Sequence, residues 1–269
     1  MTEPHPLAGA DLGSRTVRYD ERDAILYALA VGAGASDLDL VFERRLRVLP
    51  TFALTLAQWA PDVLAGRGAW DVATALHGAQ RLQVLDPLPA SGEVLMTARV
   101  GDVWDKGSAA VFDVVVQSRY FRATWSIFAP GRGGFGGSRG PATPASSEGV
   151  PDVETTLPTF ATQAALYRLT GDRHLIHIDP AAAAAIGQPR PILHGLCTLA
   201  AAVLRIAAVT GAHPADVLEL GGRFAAPVLP GQVLDLQLWT GGGAGTAFRA
   251  VHAGTPVLTA GTVRFQDSR

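Results

Sequence analysis

Tyr167-Arg168-Leu169-Thr170-Gly171-Asp172-Arg173-His174-Leu175-Ile176-His177-Ile178-Asp179-Pro180 gathers two carboxylates and two imidazoles within eight positions. Asp179 is a good N-cap, and Pro180 suits a first helical turn, where its missing N–H is not needed. Ala181 to Ile186 is therefore predicted as a short helix that Gly187 stops. His177 falls just before that helix, on a loop, and Asp172 follows the turn residue Gly171. On a regular helix, side chains five residues apart point about 140° away from each other. Asp172 and His177 converge only if the segment between them is an irregular loop held between two helices. Soon afterwards Pro191-Ile192-Leu193-His194-Gly195-Leu196-Cys197-Thr198 opens an apolar helix predicted to run from Ile192 to Val209. An acid, a base and a helix N-terminus are the parts of an addition–elimination site.

The 269 residues are 48% apolar and 17% charged, enough for one large domain or two ordinary ones with a sizeable core. A formal net charge of -2 favours neither nucleic acid nor an anionic membrane as partner. The lone Cys197 excludes an internal disulfide framework and fits a reducing compartment. Met1 to Gly13 has no apolar core of a signal peptide, and Gln266-Asp267-Ser268-Arg269 is not a peroxisomal address. The richest apolar run, Ile192 to Val209, is broken by His194 and Arg205. A soluble cytoplasmic protein is the expectation.

Asp23 to Val31 is predicted as a helix with Ile25, Leu26, Leu29 and Ala30 on one stripe, ended by Gly32 and Gly34. Leu38 to Leu49 is mixed and holds Glu43, and Pro50 begins an apolar segment reaching about Ala60. Four strand-like runs follow the loop of residues 66–74, over 80–85, 93–104, 109–117 and 120–128, with Asp105-Lys106-Gly107-Ser108 as a turn. From Gly131 to Val153 Gly, Ser, Pro and Thr dominate, which implies a linker. Gly131, Gly133 and Gly136 match a G-x-G-x-x-G spacing, but no helix is predicted to follow, so a dinucleotide site is not implied. The second half repeats the order. Helical residues 162–169 lead into the Asp–His loop and the long helix, then strand-like runs cover 217–224, 233–239, 247–252 and 257–265, with Gly241-Gly242-Gly243 as a hairpin turn. Helices followed by an antiparallel sheet, twice, imply one two-lobed α+β molecule. The predicted division is 1–130, a linker over 131–153, and 154–269.

These stretches, together with Tyr27-Ala28-Leu29-Ala30-Val31-Gly32-Ala33, Leu49-Pro50-Thr51-Phe52, Leu76-His77-Gly78 and Arg223-Phe224-Ala225-Ala226-Pro227-Val228, resemble the type-2 (R-specific) enoyl-CoA hydratases of the MaoC-like group. The resemblance spans nearly the whole chain. It implies a double hot-dog fold, in which a long helix is wrapped by a curved antiparallel sheet, twice. It implies hydration of trans-2-enoyl-CoA to (3R)-3-hydroxyacyl-CoA, here by a stand-alone module. The family's catalytic aspartate and histidine fall on Asp172 and His177, its oxyanion-hole glycine on Gly195, and a glutamate supporting activity on Glu43. Substrate contacts fall on His77, Gly78, Lys106 and Phe224, and on Arg173, His174, Leu175 and Ile176 within the loop. The chain departs from the family in His174-Leu175, where Asn-Pro is usual, and in Ala79, where Glu is usual. No metal or organic cofactor is implied beyond the coenzyme A thioester itself. The first lobe is expected to bind acyl-CoA without catalysis, and pairing of a sheet edge would make a homodimer.

Each of these residues also has an ordinary structural role open to it. His177 alone reads as a structural histidine and Asp172 as a turn residue. Gly195 reads as a helix-packing glycine, Glu43 as a buried carboxylate supporting the loop, Lys106 as a solvated turn lysine and Cys197 as core. Asp172, His174, His177 and Asp179 spell D-x-H-x-x-H-x-D, ligands for a metal on paper, but with no further cluster to complete a site. The fold would equally admit thioesterase chemistry or mere acyl-CoA binding, because one fold hosts several functions.

Overall fold

The computed structural model describes residues 5–142, 149–240 and 245–266. Its strands arise from alternating burial. Between Gly92 and Asp105, Val94, Met96, Ala98 and Val100 are buried while Glu93, Leu95, Thr97 and Arg99 face out. Leu234, Leu236 and Leu238 do the same opposite Asp235 and Gln237. The first half contributes β1 (Asp11–Tyr19), β2 (Leu76–Val84), β3 (Gly92–Asp105), β4 (Ala109–Gln117) and β5 (Phe121–Pro130). The second contributes β6 (Val153–Pro158), β7 (Val217–Phe224), β8 (Val233–Trp239), β9 (Thr246–His252) and β10 (Thr255–Phe265). Among the described residues these make one ten-stranded antiparallel sheet, ordered β1-β3-β4-β5-β2-β7-β10-β9-β8-β6. Read inward from its own edge, each half has the same order, and the halves join where β2 pairs β7, Leu82 opposite Leu220.

Four strands per half are expected from the sequence, and among the described residues each half has five. The additions, β1 and β6, are the two edges of the sheet. Only Leu12 and Tyr19 of β1, and only Leu157 of β6, are buried. Edge strands kept polar in this way avoid pairing with other chains, and they carry little hydrophobic alternation to read.

The helices sit on the inner face. α1 (Glu21–Ala30) starts at a capping box formed by Asp20 and Asp23. α2 (Leu38–Val41) is a single turn. α3 (Phe52–Leu56) and α4 (Trp59–Gly66) occupy the place of a long first-lobe helix, so that expectation is corrected. Pro61 explains the break: its ring would strike the carbonyl of Ala57, four residues back, and it is tolerated only in the first turn of α4. The second lobe has α5 (Gln163–Tyr167), α6 (Pro180–Ala185) and the unbroken α7 (Gly195–Thr210). Cys197, Leu199, Ala202, Ile206 and Ala207 of α7 are fully buried, and burial pushes the Cys197 thiol up, so it is core as expected.

The glycine-rich stretch does not begin as a free linker. The Asp105 carboxylate, buried in the β3–β4 turn, accepts the N–H groups of Gly107 (2.8 Å), Gly134 (2.9 Å) and Gly136 (2.8 Å). A Cβ on Gly133 would collide with the carbonyls of Gly107 and Ala109. The stretch that mimics a phosphate loop is therefore wrapped on a carboxylate of its own chain. Residues 143–148 of the expected linker, and the turn expected at Gly241-Gly242-Gly243, lie outside the described residues.

The N–H groups of Gly134 and Gly107 hold the Asp105 carboxyl below the usual carboxylate range. Such a group adds stability above its unfolded pKa, and the gain is lost as pH falls through the folded value. Asp105→Asn is expected to lower the thermal midpoint by several degrees at neutral pH, with the deficit shrinking below pH 4. Scanning calorimetry across pH checks this; a deficit independent of pH would mean that the carboxylate's charge is not what holds the stretch.

Candidate active site

The loop between α5 and α6 is irregular, as convergence requires. Two short 3-10 turns, Arg168–Thr170 and Leu175–His177, bracket Asp172. Asp179 caps α6 by accepting the Ala181 N–H at 2.8 Å. Gly171 lies against Thr55 of α3, where a Cβ would sit 3.4 Å from the Thr55 carbonyl. Tyr167 packs on Tyr27 of α1, and Gln163 donates to the Ala30 carbonyl at 3.1 Å. A loop of the second lobe is thus seated on helices of the first.

This seat brings Asp172 and His177 together. A carboxylate oxygen of Asp172 and ring nitrogens of His177 and His194 all lie within 4.8 Å of one another. Two hydrogen bonds of about 2.8 Å, meeting at a tetrahedral oxygen, span roughly 4.6 Å, so the spacing suits one shared water. His177 Nδ1 is 2.9 Å from the Ile192 carbonyl, which can only accept. Nδ1 therefore carries the hydrogen and Nε2 the lone pair. Burial lowers the His177 pKa, against the opposing pulls of the Ile192 carbonyl and Asp172. The ring is a neutral acceptor. One Asp172 oxygen takes the His174 N–H at 3.0 Å, leaving its partner oxygen for other donors.

The remaining wall comes from the start of α7 and the junction strands. The N–H groups of the first helical turn have no intrahelical acceptor, and Gly195 opens α7. A Cβ on Gly195 would lie 2.8 Å from the Phe224 ring. Phe224, ending β7, packs on His77 of β2 at 4.7 Å between ring centroids. His77 Nε2–H donates to the Ala79 carbonyl, 3.1 Å away, and burial pushes the His77 pKa down to about 4. Gly78 stands at the bulge of β2 beside it. Gly195 is thus a packing glycine as well as a helix start.

A family profile described as the MFE-2 hydratase 2 N-terminal domain matches residues 17–129, and one described as the MaoC like domain matches residues 143–261. "3-Hydroxyacyl-thioester dehydratase Y" of Mycobacterium tuberculosis is 36% identical over 254 residues, covering 88% of this chain and 87% of its own. The chain belongs to the MaoC-like hydratase 2 family. "Enoyl-CoA hydratase ChsH3" of the same organism is 37% identical over 251 residues, covering 87% of this chain and 88% of its own. A solved MaoC-like dehydratase of Phytophthora capsici superposes with TM-score 0.86 at 26% identity, over 97% of both chains. The fold of this family member is the double hot-dog.

Other residues that the family resemblance singles out lie apart from the pair or on its rim. Glu43 is exposed on a 3-10 turn, which corrects the reading of it as a buried carboxylate. Its neighbours Asp39 and Arg47 pair with His213 and Asp216, which follow the end of α7. Lys106 hydrogen-bonds through its ammonium to the Arg139 carbonyl. Arg173, His174 and Leu175 are exposed on the loop and Ile176 is half-buried. The four-residue metal pattern does not assemble: Asp179 caps a helix and His174 Nδ1 accepts the Ile176 N–H. The trio Asp172, His177 and His194 is close enough for an ion, but the imidazoles stack 3.6 Å apart, 23° from parallel. Metal–imidazole bonds lie near the ring plane, and two such planes share no point near both nitrogens.

In the sequence the only signal for His194 is an imidazole in an apolar run. Asp62 of α4, which carries no sequence signal, has its pKa raised by desolvation and by Asp172 nearby.

Gly195→Ala is expected to lower kcat/KM about 100-fold, because its methyl group displaces Phe224 and with it the wall of the site. Gly195→Ala/Phe224→Leu, which makes room, should recover part of that loss. Full activity in the single variant would show that the ring moves aside freely.

Proposed function

We propose that the protein hydrates trans-2-enoyl-CoA to (3R)-3-hydroxyacyl-CoA, reversibly, in fatty-acid or related acyl-CoA metabolism. The observation that carries this is a neutral His177 and Asp172 within reach of one water, beside the N-terminus of α7. The relatives' names, an enoyl-CoA hydratase and a 3-hydroxyacyl-thioester dehydratase, describe the two directions of one hydro-lyase reaction.

Water sits between Asp172 and His177 and attacks C3. His177 Nε2 takes a proton as the C3–O bond forms, and Asp172 orients the water; such a positioned acid–base contributes about 10²–10⁴-fold. The electrons of the C2–C3 double bond move toward the thioester oxygen. The Gly195 N–H, at the positive end of α7, stabilises that oxygen, a donor worth about 3 kcal/mol. The proton held by the pair then passes to C2, and the pair returns to its starting state. The first lobe binds coenzyme A and shapes the acyl site through His77, Gly78 and Lys106. Arg173 to Ile176 and Phe224 complete the substrate contacts. The protein works as a cytoplasmic homodimer with neither nucleic acid nor membrane as partner. No described helix is long and apolar enough to cross a membrane.

The deciding assay follows purified protein with crotonyl-CoA and longer enoyl-CoAs, reading loss of the conjugated absorbance and the product's configuration. Release of free thiol without hydration would instead make it a thioesterase. If the pair acts on one water, Asp172→Asn and His177→Gln each remove nearly all activity, and the double variant is little worse than either. Multiplicative losses would falsify the shared water.

Lys106 would meet the nucleotide phosphates of coenzyme A as a point charge. A contact so far from the reacting carbons acts equally in ground and transition states. Lys106→Ala should therefore raise KM a few-fold at nearly constant kcat, about 1 kcal/mol or less, with the gap narrowing in high salt. An enoyl-pantetheine thioester, which lacks those phosphates, should be indifferent to the change. Equal losses on both substrates would remove the phosphate contact.

A further inference from the structure

His194 is buried beside the pair, and no step of the reaction above uses it. Two other histidines also stand immediately before helical turns: His174 and His213 each point Nδ1 at the N–H two residues on. His194 makes no such cap. Its ring turns away from α7, and Nε2–H donates to the main-chain oxygen of Asp172 at 3.1 Å. Its flat face lies on the His177 ring. Nδ1 is left buried without a partner, and so is the hydroxyl of Tyr167, whose ring is 4.7 Å away. Buried polar groups are nearly always satisfied, and the exceptions call for an explanation. A helix start that forgoes its side-chain cap and buries a bare lone pair is less stable than it could be. What this arrangement secures is the backbone at Asp172 and one face of His177.

We propose that His194 is a positioning residue of this site: its Nε2–H anchors the main chain at Asp172, and its ring shuts water from one face of His177. This rests on the reading of Asp172 and His177 as the catalytic pair. The groups acting on His177 are Asp172 and His174 from its own loop and the ring of His194 from α7. Behind them, Arg168 acts on His194, while Asp62 of α4 and His77 of β2 are influenced by Asp172. Asp172 draws a proton onto His177, and burial opposes it. The covering ring is the part of that burial that can be removed without touching a charged neighbour. A base that must be neutral loses activity as pH falls through its pKa, so uncovering it moves the acid limb of the profile upward.

The two roles separate in two variants. His194→Gln retains a donor for the Asp172 carbonyl and loses the aromatic cover. His194→Phe retains the cover and loses the donor. In His194→Gln, NMR titration of the resting protein should show His177 taking up its proton at higher pH than in wild type. The acid limb of kcat/KM should move with it, and the plateau should fall less than about 10-fold. In His194→Phe the acid limb should stay in place while kcat falls about 10–100-fold with little change in KM. An unmoved His177 titration in the first variant overturns the cover, and an unchanged kcat in the second overturns the anchor. The titration needs no turnover. A wild-type protein that hydrates no enoyl-CoA would therefore refute the reaction while leaving the cover tested on its own.

Discussion

Ala79 lies opposite Arg223 and Gln83 opposite Glu219, and through this one ladder two half-sheets become a single sheet. Apart, each half would end in an exposed row of unpaired backbone groups at β2 or β7. Joined, they place His77, near the start of β2, against Phe224, at the end of β7. They also set the first lobe's helices beneath the second lobe's loop, Thr55 under Gly171 and Tyr27 beside Tyr167. Asp172 and His177 belong to the second lobe, but the surface that shapes their loop belongs to the first. The site is therefore a property of the joined sheet, and neither lobe contains it alone.

That seat is dry, and dryness decides the electrostatics. Burial disfavours the charged form of an imidazole, and two rings stacked at 3.6 Å cannot comfortably carry two charges. His177, His194 and His77 all have lowered pKa values, each chiefly from desolvation. Asp172 pulls in the other direction on all three. A carboxylate among neutral imidazoles is what the addition of water needs: acceptors for its protons, and no standing positive charge to hold them.

The parts legible in the sequence are those with a strong local cause. Alternating runs give the central strands, Asp179-Pro180 gives the start of α6, and the apolar run gives α7. The Asp172–His177 loop is readable because no regular helix could bring the two together. The edges β1 and β6 escape, since a strand buried at one or two positions has almost no alternation to show. The first-lobe segment is read as one apolar stretch from Pro50 to about Ala60, and the break at Ala57-Gln58 escapes because the effect of Pro61 falls on the carbonyl four residues back. Glu43 shows what residue type alone leaves open: expected as a buried carboxylate, it stands exposed on a 3-10 turn. His194 shows the converse: only the folded loop reveals that an imidazole in an apolar run faces Asp172 and not its own helix.

The two lobes share a strand order and differ in what they keep. The second retains an unbroken helix, preceded by a loop long enough to bring Asp172 and His177 together. In the first, the helix is broken at Ala57-Gln58, and the ladder edge near Lys106 is covered by a glycine-rich stretch held on Asp105. The tripeptide Leu-His-Gly occurs in both, at Leu76-His77-Gly78 and Leu193-His194-Gly195, in a strand in one case and at a helix start in the other. These are not equivalent positions of a duplication, since one is strand and the other helix. They nevertheless meet: His77 packs on Phe224, and Phe224 fills the space that Gly195 leaves open. Each lobe supplies one side of the same aromatic contact, so a change at either glycine or ring is felt across the junction. Repeating a fold here gives one site with two differently built walls.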